Sequence, residues 1–286
     1  MIMFLSGTFS CMKTTLSIIM ADRLNIANMI STDLIRVMME NLRSAVRLPT
    51  QEDLLTSKVT IEEFMSLNQN CWKGAMMDVS KVFKEGKPLV FEGVLNFKDI
   101  IESPYQPTES RWELAKKFIE GDSSVDMNTL FDQLNPNPKK EPAAKFMNIS
   151  WLKKDATGSE LNIIAEFEES KDIPAVIVPM IVIINKKDHF HIIKEKLLKV
   201  SIWYHKYFQS ISCLHNVIGN IHTVFQNLQE RLIKESPGII VPVSLMTFDR
   251  DCANMQNIVL KQIEYQFCNY LETLEMENKT ASTSNP

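Results

Sequence analysis

The chain has 286 residues, 45% of them apolar and 23% charged, enough for one large hydrophobic core and an ordinary charge load. A formal net charge of −4 gives no electrostatic case for nucleic acid or an anionic membrane, and neither is expected as a partner. The longest apolar run, Ile173 to Ile184, is broken by Pro174 and Pro179 and falls short of a membrane span.

A strand is expected over Ile2–Leu5, starting at the initiator Met with no basic stretch ahead of it, so no secretory signal is expected. It leads into Gly7-Thr8-Phe9-Ser10-Cys11-Met12-Lys13-Thr14-Thr15. The phosphate-loop pattern G-x-x-x-x-G-K-[ST] is complete except for its second glycine, which is Met12. Such a loop holds nucleotide through backbone N–H groups at a helix N-terminus, where dipole and unsatisfied donors favour an anion. Residues Gly7 to Thr15 are therefore expected to cradle phosphates, with Lys13 on the β- and γ-phosphates and the Thr14 hydroxyl on Mg²⁺. A Met in left-handed backbone at position 12 costs about 1–2 kcal/mol.

A helix over Lys13–Leu24 and a strand over Asn28–Ser31 follow. The strand end delivers Ser31, Thr32 and Asp33 to the edge of a parallel sheet, where open α/β sheets bind ligands. Asp33 either caps the next helix, Asp33–Arg43, or accepts the proton of an attacking hydroxyl. The phosphate loop upstream favours the second reading. Arg36, one turn on, has the bidentate fork to hold an anionic acceptor. After a helix over Ile61–Glu85, the apolar strand Pro88–Glu92 ends in an acid. Glu92 is expected to orient a Mg²⁺-bound water, and Gly93 to permit close backbone approach.

Pro104 to about Lys171 breaks the strand–helix alternation with two proline-rich stretches and acidic clusters. It is expected to be an insertion, ordered only in part, with helical patches at Glu109–Ile119 and Asn128–Leu134. The alternation resumes with strands at Val176–Ile184 and Ile239–Val243, then a helix at about Cys252–Glu275 and a polar, disordered tail. The expected fold is α/β: a three-layer P-loop kinase-like fold with a five-stranded parallel sheet, a helical lid and a long insertion. The expected division is core over 1–103, insertion over 104–172, core with lid over 173–275 and tail over 276–286.

The lid of a small-molecule P-loop kinase carries arginines over the transferring phosphoryl group. Here it should lie between Asn185 and Glu235, a stretch holding Lys186, Lys187, Lys194, Lys196, Lys199 and Lys206. No arginine occurs between Arg111 and Arg231, and lysine is a point charge without the planar fork. All five histidines, His189, His191, His205, His215 and His222, fall in this stretch. Their spacing fits no zinc motif, and partly buried or phosphate-facing roles are expected. The cluster Trp203-Tyr204-His205-Lys206-Tyr207 suits a core or interface patch better than base stacking. Five scattered cysteines form no C-x-x-C pair, which points to reduced thiols and a cytoplasmic protein. Cys11 is expected to be a small loop filler.

Taken together these segments resemble the 2-phosphoglycerate kinase family of P-loop proteins, which includes the plant relatives linked to phytic acid accumulation. Family members read G-T-x-G-x-G-K-S-T-L-S, then S-T-D-x-I-R, then E-G-V-H. The counterparts are Gly7 to Ser17, Ser31-Thr32-Asp33-Leu34-Ile35-Arg36 and Glu92-Gly93-Val94-Leu95. Ile218 to Leu228 looks like the family's lid helix, I-R-x-I-R-x-I-Q-x-x-L, and Val241-Pro242 like its last strand. The departures are Met12 for the loop glycine, Leu95 for the histidine, and Gly219 and His222 for the two lid arginines. Where a phosphate-clamping arginine has been removed, on the order of 10³-fold or more in rate is lost.

The resemblance implies ATP and Mg²⁺ as ligands and a phosphorylated or polyol hydroxyl compound as acceptor. In that reading Lys13 and Thr14 bind phosphate and Mg²⁺, Asp33 is the base, Arg36 clamps the acceptor and Glu92 orients the metal shell. Lys196, Gly219 and His222 stand in the lid. The alternative is a non-catalytic pseudokinase that binds nucleotide or a protein, with residues 104–172 and the Trp203 cluster serving the partner.

Overall fold

A computed structural model describes residues 1–41, 51–122, 124–135, 144–146, 149–154, 160–165, 176–199 and 211–283. Its centre is a five-stranded sheet of β1 (Ile2–Gly7), β2 (Asn28–Ser31), β3 (Leu89–Gly93), β4 (Ile177–Ile184) and β5 (Ile239–Val243). The spatial order is β2-β3-β1-β4-β5, and every neighbouring pair is parallel. With a phosphate loop leaving the C-terminal end of β1, this is a P-loop kinase-like fold. The strands read as near-continuous apolar runs because a parallel sheet is covered on both faces.

Helices supply that cover: α1 (Lys13–Arg23), α2 (Thr32–Asn41), α3 (Gln51–Leu55), α4 (Ile61–Lys84), α5 (Glu109–Glu120), α6 (Met127–Leu134), α7 (Lys186–Lys199), α8 (Ile211–Glu235) and α9 (Phe248–Thr283). Side chains alternate across β1 with the two-residue period of a strand. Phe4 faces Trp72 of α4, Phe91 and Phe97 at centroid distances of 5.7, 5.6 and 6.0 Å. Such tilted and edge-on pairs each add about 0.5–1.5 kcal/mol to simple burial. Met3 and Leu5 turn the other way, toward Leu16 and Met20 of α1 and Met255 and Val259 of α9. Helix α4 starts on a reciprocal cap. The Thr60 hydroxyl accepts from the Glu63 N–H at 3.2 Å, and the Glu63 carboxylate accepts from the Thr60 N–H at 2.8 Å.

Two expectations need correction. The first part of the expected insertion, residues 104–122 and 124–135, carries helices at both expected patches, α5 and α6, but these are packed into the core. Trp112, Ala115, Phe118 and Ile119 of α5 and Leu130 and Leu134 of α6 are buried. The Arg111 guanidinium, itself buried, donates to the carbonyls of Leu134 (2.8 Å), Tyr105 (3.0 Å), Gln106 (2.8 Å) and Gly238 (2.6 Å). The Asn135 amide exchanges two 2.8 Å hydrogen bonds with the Ile240 backbone, occupying the open side of edge strand β5. One cation satisfying four carbonyls fixes a segment whose prolines read as loop. The second correction concerns the C-terminus. Helix α9 continues to Thr283, so residues expected as a disordered tail are helical up to that point.

Further along, Ile149–Lys154 and Glu160–Ala165 form an antiparallel pair, and Ile101–Glu102 pairs with Lys145–Phe146. The proline-rich stretch after Asn135 and the Trp203–Tyr207 cluster with His205 lie outside the described residues. Among the described residues no helix is long and apolar enough to cross a membrane.

Candidate nucleotide and phosphoryl-transfer site

The cleft sits at the C-terminal edge of the sheet, over the phosphate loop and under α3, α7 and α8. It has a volume of about 290 Å³, and its polar lining comprises Ser10, Lys13 to Thr15, Thr32, Asp33, Gln51, Glu92 and Lys196. Gly7 is required where β1 turns into the loop. A Cβ there would lie 2.8 Å from both Cys11 Sγ and the Val182 carbonyl oxygen. Met12 occupies the motif's second glycine position in left-handed backbone, φ 68° and ψ 13°, as the pattern predicts. Ser10 is left-handed as well, at φ 59°. The loop keeps the glycine conformation without the glycine.

Lys13 is 8% exposed and reaches the Thr8 carbonyl at 2.6 Å, with Cys11 Sγ at 3.9 Å. Cys11 is fully buried, and that burial pushes its thiol above the ordinary value against the pull of the Lys13 charge. It is a packed loop residue, not an activated thiol.

The register of the sheet explains the next cluster. Ser31 of β2 and Glu92 of β3 are direct partners, so their side chains share a face. The Ser31 hydroxyl donates to Glu92 Oε1 at 2.5 Å, and the Thr14 hydroxyl reaches the same oxygen at 3.4 Å. Two hydroxyls and a carboxylate beside Lys13 form an all-oxygen donor set, the type a Mg²⁺ ion with retained waters accepts. Gly93 leaves room for Thr32, because a Cβ there would stand 2.2 Å from Thr32 Oγ1. The close approach expected at this glycine is thus made by the Thr32 side chain.

Asp33 lies at the cleft mouth with a side chain 67% exposed, held by Arg36 at 2.8 Å. Arg36 itself is buried and does not line the cleft. It donates to Asp33 Oδ1 and, at 3.2 Å, to Asn68 Oδ1, while the Asn68 amide donates to the Val94 carbonyl. The residue expected to clamp an acceptor therefore stands behind the expected base and fixes its position.

Of the lid residues, Lys196 lines the cleft. Partial burial there, with the Lys13 charge, lowers its ammonium below the ordinary value. Gly219 and His222 do not line it. His222 packs against His189 and Phe190 with ring centroids 5.5 and 5.6 Å away. Burial lowers its imidazole, opposed by a hydrogen bond to the Lys186 backbone.

No protein-family model matches the chain. No curated protein matches it either. Among solved structures it is similar to shikimate kinase from Bacteroides thetaiotaomicron, at 11% identity and TM-score 0.37 over 90% of this chain and 97% of that one. It is also similar to tRNA isopentenylpyrophosphate transferase from Bacillus halodurans, at 11% identity and TM-score 0.37 over 94% and 99% of the two chains. A third, the corresponding transferase from Staphylococcus epidermidis, aligns at 10% identity and TM-score 0.41 over 93% and 99%. Values this low say nothing about activity, and the fold rests on the chain's own strand order and loop.

One set of residues escaped the sequence. His189 of α7 is fully buried, with Nε2 2.8 Å from the Phe9 carbonyl and Nδ1 2.7 Å from the Gln226 amide nitrogen of α8. Gln229 then bonds both the N–H and the carbonyl of Ile184 at the end of β4, at 2.9 and 3.0 Å. The Thr8 hydroxyl adds a bond to the Phe225 carbonyl at 2.8 Å, and the Phe9 ring packs on Phe64 and Phe225. Loop and lid are thereby one packed unit. The sequence marked His189 only as one of five histidines expected to be partly buried or phosphate-facing, with nothing to name its partners Phe9 and Gln226.

Proposed function

We propose that this protein binds a Mg²⁺–nucleoside triphosphate, ATP in the first instance, and transfers its γ-phosphoryl group to the hydroxyl of a small acceptor. The observation that carries the reading is the convergence on Glu92 of the Ser31 hydroxyl and the hydroxyl of Thr14, the residue that follows Lys13. The kinship to 2-phosphoglycerate kinase-like proteins, resting on Gly7–Ser17, Ser31–Arg36 and Glu92–Leu95, belongs to the same proposal.

In this mechanism the loop N–H groups and Lys13 hold the β- and γ-phosphates. Thr14, with Glu92 and Ser31 behind it, would hold Mg²⁺, which supplies charge neutralisation across the phosphate oxygens when bound. Asp33, oriented by Arg36, takes the acceptor's hydroxyl proton. The acceptor oxygen bonds to the γ-phosphorus as the bridge to the β-phosphate breaks, giving a phosphorylated acceptor and a nucleoside diphosphate. Lys196 neutralises charge from the lid side as a single cation. With Gly219 and His222 in place of forked donors, turnover is expected to be slow.

Calorimetric titration with ATP, with and without Mg²⁺, beside Lys13→Ala tests the reading. Magnesium-dependent binding that Lys13→Ala abolishes supports it. A folded wild-type chain that takes up no nucleotide would sink it and leave the non-catalytic interaction role.

A further inference from the structure

We propose that His189 is a positioning residue for the nucleotide: through the Phe9 carbonyl it holds the Ser10 N–H aimed at the phosphates. This role rests on the phosphoryl-transfer reading and gives it a residue that does not itself line the cleft.

Among the described residues no peptide bond is cis. In a planar trans peptide the carbonyl and the N–H of the next residue point in opposite directions. The Phe9 carbonyl points into the core, to Nε2 of the fully buried His189 at 2.8 Å. The Ser10 N–H, on the far edge of the same peptide group, therefore points toward the cleft, which Phe9 and Ser10 both line. Among the described residues no backbone carbonyl accepts from it, so it is available to an anion. Ser10 also sits at φ 59°, a left-handed geometry that a non-glycine residue keeps only where its surroundings fix it. His189 fixes the peptide group that leads into that residue.

The sheet in turn fixes His189. The Gln229 side chain is pinned to both backbone groups of Ile184, and its amide also donates to Gln226 Oε1 at 3.4 Å. That leaves the Gln226 amide nitrogen to donate to His189 Nδ1 at 2.7 Å. With Nδ1 accepting, the ring proton sits on Nε2, the atom that faces Phe9. The relay from β4 to the loop is buried throughout and needs no ligand to complete it. The neighbouring Thr8 carbonyl is held differently, by the Lys13 ammonium at 2.6 Å, a group that must turn to the phosphates when nucleotide binds. A donor aimed before the ligand arrives costs no reorganisation on binding. The Ser10 N–H is such a donor because its hold comes from outside the binding machinery.

The test is calorimetric titration of the full chain with Mg²⁺–ATP and with Mg²⁺–tripolyphosphate, beside His189→Gln and His189→Asn. Both variants place one amide in the space of the ring. The Gln amide nitrogen stands where Nε2 stands and still reaches the Phe9 carbonyl. The Asn amide stops at the level of Nδ1, meets Gln226 and leaves that carbonyl unheld. His189→Asn should bind both ligands about tenfold more weakly, and His189→Gln within about threefold of wild type, the scale of one hydrogen bond to a charged group lost or kept. Wild-type affinity in folded His189→Asn overturns the proposal, and so does an equal loss in the two variants. If His189→Asn does not fold, the wild type decides by ¹⁵N-resolved NMR. The Ser10 amide proton should move downfield on adding Mg²⁺–tripolyphosphate, and a Ser10 signal that stays in place while those of Lys13 and Thr14 move overturns the proposal. A folded wild type that binds neither ATP nor tripolyphosphate overturns the phosphoryl-transfer reading, and this role with it.

Discussion

The imidazole of His189 holds the carbonyl of Phe9 at 2.8 Å, joining the first lid helix to the phosphate loop inside the core. Because a carbonyl only accepts, Nε2 carries the proton and Nδ1 accepts from Gln226. The ring is therefore neutral in the folded protein, and burial lowers its pKa to about 4 from an ordinary 6.5.

The consequence is a defined pH dependence. Between those two values the unfolded chain binds a proton that the folded chain refuses, so stability rises with pH. The His189 contribution is fully present above about pH 6.5 and is lost as pH falls toward 4, a change of about 3 kcal/mol. Urea unfolding of wild type and His189→Phe at pH 7 and pH 4.5 checks it. The variant should be about 2 kcal/mol less stable at pH 7, because the Phe9 carbonyl and Gln226 lose a buried partner. Its stability should also fall less between the two pH values. Equal slopes for the two proteins would exclude His189 as the source.

Met12→Gly should stabilise the chain. The left-handed backbone at φ 68° costs a non-glycine residue about 1–2 kcal/mol, and the added freedom of an unfolded glycine returns about 0.5–1 kcal/mol of that. A net gain of about 1 kcal/mol by chemical denaturation is expected. Nucleotide affinity should rise as well, because the Met12 side chain lines the cleft. A loss of stability would mean that the Met12 side chain contributes more by packing than its backbone costs.

Strands, loop and the left-handed residue were legible because each is a local pattern: apolar runs, G-x-x-x-x-x-K-T spacing, and a motif position that dictates its own φ. What the sequence hid is long-range. Arg111 looked like any arginine on a charged helix, yet its four carbonyl partners include Gly238, at the start of a strand far along the chain. The Asn135 amide capping β5 is equally silent in sequence. Arg36 was read as an acceptor clamp because it stands one turn after Asp33. Its true partner set depends on Asn68, delivered by a different helix. That positions 219 and 222 hold no arginine was visible, but not that His222 faces α7 instead of the cleft.

Gly93→Ala should damage the site through Thr32. The new Cβ would fall 2.2 Å from Thr32 Oγ1 and 2.3 Å from its Cγ2, and Thr32 is buried and cannot rotate away freely. A loss of about 2–4 kcal/mol is expected, with nucleotide affinity reduced because Glu92 and Ser31 flank the clash. Thr32→Ala removes two of the three crowding atoms, so the double variant should recover part of the loss. A double-mutant cycle in denaturant measures that coupling, and strict additivity would show that the damage arises elsewhere.

Arg36→Lys separates a positioning role from an acceptor clamp. The guanidinium spans Asp33 at 2.8 Å and Asn68 at 3.2 Å with two nitrogens of one rigid fork. An ammonium cannot hold both in that geometry. If Arg36 positions the base, kcat should fall about 10–100-fold, the scale of a displaced general base, while KM for ATP and for the acceptor stays within a fewfold. Asn68 keeps its bond to the Val94 carbonyl, so the fold should lose only about 1–2 kcal/mol. If Arg36 clamps an anionic acceptor instead, KM for phosphorylated acceptors alone should rise and kcat should hold. Steady-state kinetics of the two proteins with one phosphorylated and one uncharged acceptor decides between them. The buried position of Arg36, behind Asp33 and off the cleft wall, favours the fall in kcat.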